Sequence, residues 1–156
     1  MSDILSVINA YLHSDEHFEQ LGEDDCERGG DVMAEVWENL RTVNAAAYFV
    51  LLFSQLEARI NGLCREVIVR NQEAPHSAER RAWDILDPDP ARIRSIRFMS
   101  RVALLTDRGG TVYKRVKELY DTRNKIAHGG PLTEPLDMAE IARDIERIAV
   151  QLKGVT

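Results

Sequence analysis

The segment YDTRNKIAHGG, residues 120–130, sets Arg123, Asn124 and His128 close together and then stops on two glycines. An imidazole exchanges protons near neutral pH. A guanidinium is a permanent cation whose planar fork of donors fits phosphate oxygens, and a carboxamide can orient either group. Together they suit proton transfer beside a phosphoryl group and stabilisation of the charge that builds on it.

Placed on a helix at about 100° per residue, positions 111–128 separate into faces. Val112, Val116, Leu119, Ile126 and Ala127 gather round one direction, which must face a core. Lys114, Glu118, Asp121 and Lys125 fall opposite, toward water. Arg123 falls within the apolar stripe, where an unpaired guanidinium loses several kcal/mol of solvation, so it needs a partner, a cleft or an interface. His128 lies about 140° round from Arg123. Between them Tyr113, Lys117, Tyr120 and Asn124 form a polar and aromatic flank suited to a phosphodiester, with Lys117 and Tyr120 the candidate RNA contacts on it. Asn124 and His128 are four apart and can touch. Gly129 stands where a left-handed residue closes a helix, which puts His128 in the last turn, at the end that favours a cation.

Other residues compete for attention. Arg94, Arg97 and Arg101, spaced i, i+3 and i+7 on a helix over 91–105, form a row that can follow an RNA backbone or pair with an acidic subunit. HSDEH at 13–17 fits the H-x-x-E-H zinc signature, with His13 and His17 on one helix face and Glu16 as base. No third ligand can be singled out, however, and the segment reads better as a solvated face, so no metal or other cofactor is expected. Trp37, Tyr48, Phe49 and Phe53 recur at helical spacing and read as packing. The RGG triplets at 28–30 and 108–110 lack the Lys-Ser/Thr of a phosphate loop. Cys26 and Cys64 have no CxxC spacing and read as two thiols in a reducing cytoplasm.

The elements that must position these residues read as all helix, because apolar and polar residues never alternate over a strand's length. Six helices are expected. The first starts at Ser2 or Asp3 and ends before a loop at GEDDCERGGD, 22–31. The second, capped by Asp31, runs about 40 residues with a bend at Asn61 or Gly62. The others cover 78–86, 91–105, 111–128 (capped by Thr111) and 136–152, with DPDP at 87–90 as a stop. The 156 residues predict one domain, 1–156, with a core that needs no disulfide. No apolar run approaches the roughly 18 residues of a membrane span, and the first residues lack the basic start of an export signal, so a cytoplasmic protein without a membrane partner is expected. Net charge is −6, unpromising for a polyanion partner, but its distribution is uneven. Residues 1–58 carry 2 basic and 12 acidic side chains, a balance of −10, while residues 59–128 carry 15 and 9, a balance of +6. A local basic field can steer RNA despite an acidic whole.

RNKIAH at 123–128 resembles the R-x4-H motif of HEPN domains, helical modules common in prokaryotic toxin–antitoxin and defence systems. Asn124 after the arginine fits that pattern too, and so does a motif on a late helix. The resemblance implies an all-α, HEPN-like helical bundle of about four to six helices, here with one long second helix. It further implies metal-independent RNA cleavage at a composite site across the two-fold of a homodimer. His128 would move the proton as a ribose 2′-hydroxyl attacks the adjacent phosphate, Arg123 would stabilise the phosphorane, and Asn124 would orient His128 or the phosphate. An antitoxin or a larger defence complex is an implied partner, and a non-catalytic dimerisation, RNA-binding or antitoxin-partner module is the alternative. Some HEPN toxins carry a tyrosine two residues after the histidine. Gly130 stands there instead, so control through that tyrosine is not expected.

Overall fold

A computed structural model describes residues 2–27, 31–130 and 135–153. Every regular element among them is an α-helix: α1 (Ser2–Glu27), α2 (Asp31–Gln72), α3 (Ser77–Trp83), α4 (Pro90–Ser95), α5 (Phe98–Leu105), α6 (Thr111–Ala127) and α7 (Met138–Lys153). The expected all-α class with one long second helix is therefore present. No helix among the described residues is long and apolar enough to cross a membrane. The chain divides into two compact units, one of residues 1–55 with 122–146 and one of residues 56–121 with 147–156.

In the first unit α1 and α2 form an antiparallel pair. Tyr11 meets Tyr48 edge-on at 5.8 Å, Ser14 Oγ accepts from Asn44 Nδ2 at 2.8 Å, and Phe18 lies 6.3 Å from Trp37. Arg41 donates to both carboxylate oxygens of Asp15, at 3.0 and 2.9 Å. The loop expected to begin at Gly22 is helix as far as Glu27. Tertiary contact overrides the local turn signal: Trp37 Nε1 donates to Asp25 Oδ2 at 2.6 Å, and a Cβ on Gly22 would already touch Trp37 at 3.5 Å, so the helices run close here. The expected capping roles of Ser2, Asp3 and Asp31 rest on side chains outside those described. Phe49, Leu52 and Phe53 of α2, with Ile141 and Ile145 of α7, are buried in this unit. Asp137 caps α7, its Oδ1 accepting from Glu140 N at 2.8 Å.

In the second unit, α2 continues as helix through Asn61 and Gly62 to Gln72. Gln72 Nε2 donates to the carbonyls of Trp83 and Leu86, which ties the end of α2 to the end of α3. The single helix expected over 91–105 is two, and this raises the count from six to seven. Asp89 caps α4, accepting from Ala91 N at 2.8 Å, with Pro90 in the first turn. Ile96 and Arg97 are then extended, and α5 begins at Phe98. The break has a packing cause. Ile93 and Phe98 are both buried, yet five positions apart on one helix they would point about 140° from each other.

The break also takes Arg101 out of the arginine row. Its side chain is buried, with Nη2 3.0 Å from Glu57 Oε1 and Nη1 donating to Asn61 Oδ1. Its guanidinium carbon lies 5.3 Å from the centre of the Phe98 ring. The Arg101 carbonyl accepts from Cys64 Sγ at 3.3 Å, and burial pushes the Cys64 thiol up to about 11. Asn61, on α2, thus serves as an acceptor for the guanidinium.

Candidate functional site at the end of α6

Helix α6 starts where the Gly110 carbonyl accepts from Lys114 N at 3.2 Å. Val116 and Leu119 are buried, Val112 and Ile126 half-buried, and Lys114, Glu118, Asp121 and Lys125 exposed, as the periodicity requires. Ala127, expected on the core face, is exposed because the helix ends there.

The ending is fully specified. His128 N donates to Asn124 O at 3.0 Å, Gly129 N to Ile126 O at 3.0 Å and Gly130 N to Lys125 O at 2.9 Å. Gly129 has φ of +69°. Nested 5→2 and 6→1 bonds with a left-handed glycine form a Schellman motif, so His128 is the last residue before the reversal. Its imidazole is exposed while its backbone is held from both sides. Arg123 is half-buried, less than the centre of an apolar stripe implies, and its Nη1 donates to Asn124 Oδ1 at 3.3 Å. The carboxamide therefore orients the arginine, where the resemblance implies that it orients His128 or the phosphate. A fixed cation and a reachable imidazole thus share one helix end within six residues, which is the equipment for acid–base chemistry on a phosphodiester.

Gly129→Ala tests how firmly this end is set. A Cβ in the left-handed region costs about 1 kcal/mol. The melting temperature is expected to fall by roughly 2–4 °C, and amide exchange at Gly129 and Gly130 to speed up relative to the rest of α6. An unchanged melting temperature and exchange pattern would mean the motif does not hold His128.

The remaining candidates divide. Lys117 is exposed and meets Asp121 Oδ2 at 2.6 Å, and that hydrogen bond raises its pKa. Tyr120 is half-buried with its ring stacked on Phe98 at 4.8 Å. Arg94 and Arg97 are exposed, on α4 and at the start of α5. Arg101 is buried against Glu57 and cannot follow a backbone with them. His13, Glu16 and His17 are exposed on α1, and among the described residues no group of three His, Cys, Asp or Glu gathers where it could hold a metal.

Sequence reasoning gave no hint of an open cleft of about 250 Å³ in the first unit, lined by Tyr11, Asp15, Glu38, Arg41 and Leu136 among others. Burial and the charge of Asp15 raise the Tyr11 pKa, and the hydrogen bonds that Arg41 donates to Asp15 raise its own. Arg41 and Asp15 pair through two hydrogen bonds across the wall of the cleft. A pair 26 positions apart leaves no periodic signal.

The chain matches no protein-family model, and no curated protein or solved structure is detectably similar to it. What it does is therefore read from the end of α6 itself.

Proposed function

We propose that this protein is a metal-independent endoribonuclease of the HEPN type, working as a homodimer in a prokaryotic toxin–antitoxin or anti-phage defence system. One observation carries the reading: an exposed histidine at a Schellman-closed helix end, four residues after an arginine–asparagine pair whose side chains meet at 3.3 Å. In this reaction a ribose 2′-oxygen loses its proton and bonds to the adjacent phosphorus. The bond from phosphorus to the 5′-oxygen breaks, and that oxygen takes up a proton. His128 transfers protons, Arg123 stabilises the charge on the phosphorane, and Asn124 holds the arginine. Arg94, Arg97 and Lys117 are exposed cations available to phosphates, a sequence-independent and salt-sensitive contribution. The helix end supports this over a pure interaction module, because a reachable imidazole on a fixed backbone has no packing task.

The test is incubation of total RNA with the purified chain in EDTA, followed by analysis of the fragment ends. Fragments with 2′,3′-cyclic phosphate and 5′-hydroxyl ends are expected. Intact RNA after long incubation would replace this reading with a non-catalytic RNA-binding or partner-binding module.

A further inference from the structure

One face of α2 remains exposed although it is apolar. Met33, Val36, Leu40, Val43, Ala47, Leu51 and Ser54 follow spacings of 3 and 4, and at 100° per residue they fall within about 80° of arc. They lie opposite the buried Phe49, Leu52 and Phe53 of the same helix. Val43 is 64% exposed, Leu51 49%, Val36 43%, Met33 41% and Leu40 38%. Ala47 and Ser54 are exposed as well. From Thr42 to Leu56 the helix has no charged side chain at all. The stripe lies wholly within the first unit.

We propose that this stripe pairs, antiparallel, with the same stripe of a second copy of the chain. Three features select that occupant. The stripe spans about 32 Å, and with its shoulders it offers on the order of 600–800 Å² per copy, the size at which specific pairs form. Its halves are complementary in volume. With the two-fold beside Val43, Met33 faces Ser54, Val36 faces Leu51 and Leu40 faces Ala47, mostly large against small, as an isologous interface requires. The helix dipoles set the direction, since an antiparallel pair opposes them where a parallel pair would align them. The surface belongs to α2 and not to the motif, and its pairing does not depend on whether the chain cleaves RNA.

Sedimentation of the full chain at roughly 1–100 µM should give twice the mass of one chain. Val43→Glu and Leu51→Glu, both at exposed positions, should keep their helix content and weaken pairing about 100-fold, since each change enters the two-fold interface twice. In a Cys26→Ser background, Met33→Cys chains mixed with Ser54→Cys chains should form a disulfide-linked dimer that neither forms alone. A wild type monomeric at every concentration, or a dimer unaffected by both glutamates, would overturn the proposal. Self-linking of Met33→Cys chains alone would overturn its antiparallel sense.

Discussion

His128→Ala is expected to lower RNA cleavage by about 10²- to 10⁴-fold, the usual contribution of one positioned acid–base group. The fold should not register the change. His128 is exposed at a helix end set by Gly129 and Gly130, so the substitution should alter stability by no more than about 0.5 kcal/mol. That contrast gives the experiment its force, since a drop in activity without a drop in melting temperature cannot be blamed on misfolding. Arg123 should behave differently. Its guanidinium is half-buried and donates to Asn124, so Arg123→Ala should cost both activity and some stability, through the packed stem as well as the charge. Arg123→Lys keeps the charge but loses the planar fork, and should recover the stability more fully than the rate. If His128→Ala cleaves RNA as fast as the wild type, the histidine is a helix-end residue and nothing more, and the motif's chemistry must be abandoned.

Much of the fold could be read from the sequence because most of it is local. The 3.6-residue period places Val116 and Leu119 inside and Lys114 and Glu118 outside with no knowledge of what they pack against. The close of α6 is equally legible, since a pair of glycines after a helical run admits few geometries. What was not legible depends on partners distant in the chain. Gly22 and the acidic run after it carry every local mark of a loop, yet Trp37, 12 positions from Asp25, holds that run in helix. The arginine row was a correct spacing on an incorrect helix. Periodicity cannot show that Ile93 and Phe98 must both be buried, and that need breaks the helix at Ile96 and turns Arg101 inward. The stacking of Tyr120 on Phe98, 22 residues earlier, was hidden for the same reason. At the candidate site the residue types were readable, but the pairing of Asn124 with Arg123 was not, since neighbours in sequence are about 100° apart on a helix and meet only when a long side chain bends back.

Arg101 supplies the largest expected effect on stability, and its sign pattern is informative. Glu57→Ala should destabilise the protein by about 2–3 kcal/mol, because it leaves a buried guanidinium without its carboxylate. The figure lies below the range for a fully buried pair because the Glu57 side chain is 35% exposed and water reaches it, while that of Arg101 is 5% exposed. Arg101→Met should cost less, about 1–2 kcal/mol. It removes the buried charge together with its desolvation penalty, replaces the stem over Phe98 with a flexible apolar chain, and frees a carboxylate that can reach solvent. The double variant should be no less stable than Glu57→Ala alone, since the partner loss has no target once the guanidinium is gone. Urea unfolding of the four proteins gives the cycle directly, with m-values checking that the unfolded state is unaltered. Should Arg101→Met prove the more damaging single change, the arginine matters through its contact with Phe98 and its bond to Asn61 more than through Glu57. The break between α4 and α5 would then be held by packing rather than by the ion pair.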